Sequence, residues 1–390
     1  MAEVKPFRAV RYGEGAGPLD TLVAPPYDVI SPAERGQLAA RNAHNVVYLT
    51  LPADEAEAGR TWRAWWEDGT LGDEAEPAFW WLSQDYVGPD GVARTREGLV
   101  AALKAEPYES RVVLPHERTH RGPKEGRLRL LREVQVQLEP LFFLYEGAPP
   151  ATRPERGPDL EVEGARLWRL PPDGIAEAFA DRQLLIADGH HRYETALAYH
   201  EEAGTPESAY VLAVLVSLDD PGLMIFPTHR LFEHEPAEKL PAEPLPEPNA
   251  AREALEQAPS DRAAAVVYRG SGAELAVDGN ELDVQLVDRL GHDGISYTPD
   301  WREAVRAVDE GEAAVAVLMR PTRIEDVFAV AQRGETMPQK STYFYPKLVS
   351  GLLFLPLWSF ERFGQSAQTD ARAEPVRPDV GAASGASVPL

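Results

Sequence analysis

The segment Leu184–Arg192 most constrains the fold, because it joins a buried strand to a helix through a tight turn. Leu184–Ile186 is a short apolar run, which is typical of a buried strand. Asp188-Gly189 has the composition of a turn, and Tyr193–Tyr199 places apolar side chains at helical spacing. We therefore expect strand, turn and helix in succession at this point of the chain.

The first turn of the predicted helix is crowded with nitrogen-bearing side chains. The start of a helix has unpaired N–H groups and the positive end of the helix dipole, which both favour an anion. Cations placed there need a compensating charge, and a bound phosphate would supply one. We predict that Asp188, Gly189 and Arg192 bind phosphate and that His190 or His191 donates to the transferring group. The alternative is a histidine pair that only caps the helix and packs, with Arg192 reaching solvent.

Composition excludes several classes of protein. The 390 residues contain no cysteine, which excludes disulfides, thiolate catalysis and cysteine-ligated metals. The net charge of −24 argues against broad binding to nucleic acid, which needs a basic surface. In such an acidic protein, an anionic ligand must be met by a local cluster of positive groups.

No apolar run is long enough to predict a membrane span, and the N-terminal residues lack the apolar segment of a secretion signal. We therefore expect a soluble, cytoplasmic protein without a membrane partner. The sequence does not indicate an oligomeric state.

The loop Val23–Pro32 carries the first candidate outside the central turn. Paired prolines predict an extended entry to a helix that begins near Ser31-Pro32. Asp28 lies on this loop, and we consider it a general base or a carboxylate that faces a metal ion. Its alternative role is that of a turn or cap residue.

The most basic part of the chain is the loop Leu114–Arg127, which is predicted to lead into a helix over Arg127–Gln137. Lys124 and Arg121 are candidates for phosphate binding, and Glu117 is a candidate for proton transfer or metal binding, together with His116. The alternative is a solvated charged loop. The string His116–His120 also matches the HExxH zinc motif, but the flanking prolines and glycine disfavour the helix that this motif requires.

Two later segments carry further candidates. His229 and Arg230, in Phe226–Arg230, are predicted to support the same phosphates, or else to be surface residues. Lys340 and Ser341, in Met337–Lys347, are predicted to hold substrate or nucleotide. The alternative for this last segment is an amphipathic edge strand with extended lysines.

Strands alternate irregularly with helices, which predicts an α+β (mixed α/β) architecture in two lobes. Residues 1–145 are expected to form an N-terminal lobe, 166–232 a strand–turn–helix core, and 250–362 a C-terminal lobe. Residues 363–390 are expected to be a disordered tail, and the proline-rich 233–249 a solvated connector. The usual glycine-rich nucleotide motifs are absent.

Five segments in this order resemble a large prokaryotic family catalogued as domain of unknown function one thousand and fifteen. They are VAPPYDVIS, LPHERTHRGPK, ADGHHRYETAL, PTHR and MPQKSTYFYPK. The turn Asp188–Arg192 is also similar to the nucleotide-binding turn of the ParB and sulfiredoxin superfamily, which includes free serine kinases. That resemblance implies a ParB/sulfiredoxin-like core that binds ADP or ATP, with serine or phosphoserine as the small-molecule substrate.

Our leading hypothesis is phosphoryl transfer between a nucleotide and a small hydroxyl compound, with Mg²⁺ and with Asp28 or Glu117 as the base. One rival is a non-catalytic nucleotide sensor. The other is a metal-dependent phosphohydrolase that uses Asp188 or Glu117 with the histidines His116, His120, His190, His191 and His229.

Overall fold

The apolar runs of the sequence form the strands of two main sheets, and helices pack on the faces of both. The computed structural model describes residues 1–117, 121–247 and 250–359, without the side chains of residues 121–123. The architecture is mixed α+β, which confirms the predicted fold class. The predicted tail, 363–390, lies outside the described residues.

The strands are short, and most are between two and nine residues long. The first eleven are β1 (Val4–Lys5), β2 (Val10–Tyr12), β3 (Leu71–Asp73), β4 (Phe79–Val87), β5 (Ala93–Lys104), β6 (Val113–Leu114), β7 (Val136–Gln137), β8 (Leu141–Tyr145), β9 (Leu160–Val162), β10 (Ala165–Leu170) and β11 (Leu184–Asp188). The others are β12 (Tyr210–Ser217), β13 (Met224–Phe226), β14 (His229–Phe232), β15 (Ala242–Pro244), β16 (Ala263–Tyr268), β17 (Ala273–Asp278), β18 (Ile295–Thr298), β19 (Val315–Met319), β20 (Tyr343–Tyr345) and β21 (Leu355–Pro356).

The helices range from single turns to 14 residues. They are α1 (Leu19–Leu22), α2 (Pro32–Arg41), α3 (Val47–Thr50), α4 (Glu55–Glu67), α5 (Arg121–Val134), α6 (His190–Ala203), α7 (Ala251–Gln257), α8 (Asp283–Asp288), α9 (Trp301–Asp309) and α10 (Ile324–Gln332). No helix in the described ranges combines the length and the apolar character that crossing a membrane requires.

The larger sheet has nine strands in the order β6–β11–β8–β12–β5–β4–β10–β9, with β1 paired to β5. β11 runs parallel to β6, and β12 runs parallel to β8. Both faces of β11 are buried, because Leu184 and Ile186 enter one core cluster while Leu185 and Ala187 enter another. Strands from the predicted segments 1–145 and 166–232 share this sheet, and the predicted domain boundaries stay a prediction.

The second sheet is antiparallel, with six strands in the order β15–β17–β16–β19–β14–β18. Helices α7 and α9 cover one face and α8 covers the other. A separate strand pair, β13 with β20, ties the C-terminal segment to the strand just before β14. This pairing brings residues after 337 back to the middle of the chain.

Two predicted elements differ from the structure. The connector 233–249 contains the strand β15, and Pro244 is tolerated there because β15 is the edge of the second sheet. The helix predicted to begin at Arg127 begins at Arg121 and ends at Val134. Gly122-Pro123 does not prevent the earlier start, because the N–H groups of the first turn have no partner within the helix.

Candidate active site

Helix α6 begins directly after β11, and Gly189 makes the turn between them. The φ of Gly189 is +99°, which glycine adopts far more readily than other residues. A Cβ on residue 189 would also lie only 3.1 Å from the Leu141 Cγ atom. Gly189, at the N-cap position, has no side chain with which to cap the helix. A helix start of this kind is a typical position for a bound anion.

The carboxylate of Asp188, the last residue of β11, is paired with two cations. Its Oδ2 accepts a hydrogen bond from Arg192 at 2.9 Å, and its Oδ1 accepts one from the Lys347 ammonium. Burial would raise the pKa of Asp188, but the charges of Lys347 and Arg192 lower it. Burial would lower the pKa of Lys347, but Asp188 raises it. The three groups together therefore carry an excess of positive charge at neutral pH.

Arg192 is fixed on a second side as well, because it donates to the Pro140 carbonyl oxygen at 2.8 Å. Its side chain is 10% exposed, so the interpretation in which Arg192 reaches solvent is wrong. The sequence predicts that cations at this helix start need a compensating anion. Asp188 supplies part of that compensation, so a bound phosphate is not the only source.

The buried His116 and the half-buried His190 form a pair whose ring centroids are 4.8 Å apart. The His116 Nδ1 lies 2.7 Å from the Ile186 carbonyl oxygen, so Nδ1 carries the proton and Nε2 accepts from the Thr342 hydroxyl at 2.9 Å. The His190 Nε2 accepts the His116 backbone N–H at 3.4 Å, which assigns the His190 proton to Nδ1.

Burial keeps both rings of this pair neutral. It lowers the pKa of His116 to about 4 and lowers that of His190 well below its ordinary value. His190 is thus a neutral hydrogen-bond donor through Nδ1 rather than a charged group.

A cavity of about 700 Å³ opens at the C-terminal end of β11 and reaches strand β18 of the second sheet. This volume is in the range of small-molecule and cofactor sites. The cavity is lined by most of the predicted site residues, which are Asp28, Glu117, Asp188, Gly189, His190, His191, Arg192 and Lys340. The structure therefore gathers segments that are far apart in the sequence, while their individual roles stay predictions.

Lys340 is held beside Glu117 in an unusual backbone conformation. Its φ is +58°, in the left-handed region that residues other than glycine rarely adopt. The Lys340 carbonyl accepts a hydrogen bond from the Thr228 hydroxyl, and the Lys340 N–H bonds to Glu117. Such conformations persist where surrounding contacts impose them, often at functional sites. Burial raises the pKa of Glu117, which favours the carboxylate as a proton acceptor closer to neutral pH.

Other predicted ligand residues lie outside this cavity. Lys124 forms an ion pair with Glu194. His229 accepts the Met319 backbone N–H at 3.1 Å, and Ser341 donates to the Pro338 carbonyl. His229 therefore stabilises the second sheet, and Ser341 the loop, so their positions do not support direct binding of phosphate. Arg230 is fully buried behind the cavity wall.

Lys347 and Tyr297 also line the cavity, and neither was predicted as a site residue. Lys347 ends the segment Met337–Lys347, which was already predicted to bind a polar ligand. The sequence feature that could have identified it is that it is a second cation after Lys340 in this segment. Tyr297 lies on the short strand β18, which has no distinctive pattern. Its position depends on tertiary pairing with β14.

The HExxH string, which the sequence disfavours as a zinc site, cannot be placed as a whole, because residues 118–120 lie outside the described residues. Within residues 1–117, 121–247 and 250–359, no three His, Asp or Glu side chains form a group that could hold a metal ion. A Mg²⁺ ion held mainly by phosphates needs fewer protein ligands, and one carboxylate suffices. Asp28 fits that requirement, because it is exposed and lines the cavity.

Three solved structures are distantly similar to this chain. A free serine kinase in complex with AMP is 16% identical, with a TM-score of 0.39 over 60% of this chain and 83% of that one. A conserved hypothetical protein from Pyrococcus furiosus is 16% identical, with a TM-score of 0.39 over 63% of this chain and 92% of that one. SbnI with a C-terminal truncation, from Staphylococcus aureus, is 12% identical, with a TM-score of 0.41 over 70% of this chain and 95% of that one. Likenesses this distant carry no argument about activity.

No curated protein matches the sequence. Residues 4–292 match the model of a family described as "Protein of unknown function (DUF1015)". This match spans most of the chain and contains the central turn, whereas Lys340 and Lys347 follow it. The chain therefore belongs to this family, as the resemblance of its sequence segments indicated.

Proposed function

We propose that the protein transfers a phosphoryl group between a nucleotide and a small hydroxyl compound. The observation that carries this proposal is one cavity in which the start of α6 and Lys347 lie with Lys340 and Glu117. Phosphoryl transfer depends mainly on positioning and on neutralising charge, with a base to accept the hydroxyl proton. These residues can meet both needs.

The phosphates would bind at the start of α6. Its first N–H groups, the Lys347 ammonium and the Arg192 guanidinium surround this position, and Asp188 balances only part of their charge. His190 would add a neutral donor through Nδ1. The Tyr27 ring, held under the Arg127 guanidinium at 3.4 Å, offers an aromatic surface for a nucleobase.

Glu117 would serve as the base and Asp28 as the carboxylate for Mg²⁺. Burial raises the pKa of Glu117, which strengthens it as a proton acceptor. Asp28 is exposed on the loop before α2, where a hydrated Mg²⁺ ion has room for its water ligands. The ion, when bound, would neutralise charge on the phosphates.

The substrate proposed for the first assay is serine, or phosphoserine in the reverse direction. This choice rests on the resemblance of the turn Asp188–Arg192 to that of free serine kinases. The cavity is compatible with it, because Lys340 provides a cation and Glu117 a base in the same cavity as the start of α6.

Phosphorus NMR tests the proposal directly. The purified protein with Mg²⁺ is offered serine with ATP or ADP, and separately phosphoserine with ADP or AMP. A new phosphoserine or nucleotide resonance is expected, and it would also establish the direction of transfer. Free phosphate without nucleotide would instead indicate a phosphohydrolase, and nucleotide line broadening without turnover a binding protein.

A double variant, His190→Ala with Arg192→Ala, links the activity to this site. It is expected to lose transfer while circular dichroism shows retained secondary structure. Full activity in this variant would contradict the proposed phosphate position.

A further inference from the structure

Arg230 is a fully buried cation whose hydrogen-bonding groups are unused. Its side chain is 0% exposed, and its Nε and both terminal nitrogens have no hydrogen-bond partner in the described part of the chain. A guanidinium has five N–H donors and remains charged in proteins. Leaving such donors unpaired in a buried position costs free energy, so the arrangement requires an explanation.

The nearest compensating charge does not satisfy Arg230. Asp288 of α8 forms an ion pair with Arg230 at 3.5 Å, which is longer than a well-formed hydrogen bond and involves one of the three guanidinium nitrogens. The same Asp288 oxygen also lies 3.0 Å from the His292 Nε2 atom. Oxygen acceptors for Arg230 must therefore come from elsewhere.

Arg230 lies directly behind the wall of the candidate active site. It is paired in register with Tyr297, across strands β14 and β18, so the two side chains are on the same face of the sheet. Tyr297 lines the cavity and is half-buried. The charges that act on Tyr297 are those of Arg230, Asp288 and Glu117, and Glu117 also lines the cavity. Tyr297 is thus the only described cavity-lining residue that is paired with Arg230.

A second buried arginine, Arg96, has a structural role and allows a comparison with Arg230. Arg96 is also fully buried, but it donates to the Gln84 side chain at 2.6 Å and to the Pro346 carbonyl at 2.7 Å. Its guanidinium also lies 4.4 Å from the centre of the Phe142 ring. One terminal nitrogen of Arg96 makes both hydrogen bonds, whereas none of the three Arg230 nitrogens makes a bond by the same geometric criterion.

We propose that Arg230 and Tyr297 form an anion subsite that binds the carboxylate or phosphate of the small substrate. The Tyr297 ring turns aside, and the ligand's oxyanion accepts hydrogen bonds from the guanidinium. This inference rests on the proposed function in placing the substrate in the same cavity. It narrows the substrate to hydroxyl compounds that carry a negative group, so serine would be accepted and ethanolamine, which lacks the carboxylate, would not.

The first test is Arg230→Met, which keeps an unbranched apolar side chain and removes the charge. Binding of acetate and of inorganic phosphate is measured by calorimetry, and thermal unfolding is followed in parallel. Acetate affinity should fall roughly tenfold to a hundredfold, because charge-assisted hydrogen bonds to the guanidinium are lost. The melting temperature should stay the same or rise, because an uncompensated buried charge is removed. In the matched control, Arg96→Met, the melting temperature should fall because formed hydrogen bonds are lost.

A lower melting temperature in Arg230→Met with unchanged binding of both probes would overturn the proposal in favour of a structural role. Phosphate affinity that falls while acetate affinity stays the same would assign the subsite to phosphates, and the reverse would assign it to carboxylates. Tyr297→Ala provides a second variant, in which exposure of the guanidinium should strengthen acetate binding. Unchanged affinity for both acetate and phosphate in Tyr297→Ala would contradict the proposal.

The wild-type protein separates this inference from the proposed function. With ¹⁵N-arginine labelling, the Nε resonance that disappears in Arg230→Lys is followed during acetate addition. The titration is repeated with inorganic phosphate. A shift with either probe supports the subsite, and a resonance that moves with neither probe at saturation contradicts it. AMP binding reports on the proposed function instead, so a protein that binds acetate at Arg230 but no AMP would retain the subsite and lose the proposed function.

Discussion

Lys347 donates a hydrogen bond to Asp188, a residue 159 positions earlier in the chain. The carbonyl of the preceding residue, Pro346, accepts a hydrogen bond from the buried Arg96. Lys347 is therefore held on both sides, by its own ammonium and by the backbone before it. The pair connects the end of β11 to a loop that follows β20, and so it links the two sides of the candidate active site.

Replacing Lys347 by Met should weaken both nucleotide binding and the fold. Asp188 would keep Arg192 but lose one buried partner, which should lower the free energy of unfolding by about 1–3 kcal/mol. Urea unfolding and AMP titration measure the two effects. Lys347→Arg is the matched control, since it keeps the charge. It should retain more of the AMP affinity and more of the stability than Lys347→Met. Wild-type AMP affinity in a folded Lys347→Met protein would remove Lys347 from the phosphate site.

Gly189→Ala should reduce nucleotide affinity more than its effect on stability explains. Alanine would adopt a φ of +99° and would place its Cβ 3.2 Å from an Arg192 nitrogen. A non-glycine residue in this region costs roughly 1–3 kcal/mol. Gly204→Ala is the matched control at the other end of α6, because its φ is +62° and a Cβ there meets nothing within 4 Å. Both variants should be destabilised, but only Gly189→Ala should lose AMP binding. Equal AMP affinities in the two variants would count against the role of the α6 start.

Glu117→Gln should abolish most of the transfer activity while leaving AMP binding in place. Loss of a general base typically costs about 10²–10⁴-fold in rate. Because burial raises the pKa of Glu117, wild-type activity should fall as the pH drops through that raised value, at a higher pH than for an ordinary carboxylate. A rate–pH profile with serine and ATP measures this loss of activity at low pH, which is the acidic limb of the profile.

Asp28→Asn is the control for that assignment. It should retain the acidic limb of the profile and instead raise the Mg²⁺ concentration needed for half-maximal rate. If the acidic limb of the rate–pH profile were unchanged in Glu117→Gln and lost in Asp28→Asn, Asp28 would be the base and Glu117 the residue that binds Mg²⁺.

His116 should make the protein less stable in mild acid. Burial lowers its pKa to about 4, below the ordinary value of 6.5, so between these values the unfolded state binds more protons than the folded state. The contribution to stability is full above about pH 6.5 and is lost as the pH falls towards 4, with a slope of up to about 1.4 kcal/mol per pH unit. Denaturant unfolding of wild type and His116→Gln at several pH values should show a shallower slope in the variant. Parallel slopes would contradict the assignment of a neutral buried ring.

The sequence was most informative where local patterns decide the structure. The succession of β11, Gly189 and α6 follows from an apolar run, a turn dipeptide and helical spacing, and all three are properties of neighbouring residues. The residues at which helices begin and end were less predictable. α5 begins six residues before the predicted Arg127, because unpaired N–H groups at a helix start tolerate Gly122-Pro123.

Local sequence patterns did not predict the contacts between distant segments. The His229-Arg230 pair suggested two phosphate ligands, but alternation along β14 sends the two side chains to opposite faces of the second sheet. His229 therefore bonds the Met319 N–H, while Arg230 lies behind Tyr297. The part played by Lys347 follows from the pairing of β20 with β13, which no local property of the sequence encodes.

The separation of Asp188 and Lys347 along the chain also sets the order in which the protein can be assembled during translation. The larger sheet takes its last strand, β12, at Ser217, so that sheet can form while the rest of the chain is still being synthesised. Until residue 347 has left the ribosome, however, the buried carboxylate of Asp188 has only Arg192 as a cationic partner. A nascent chain would therefore acquire a folded scaffold early and a complete phosphate site only near the end of synthesis.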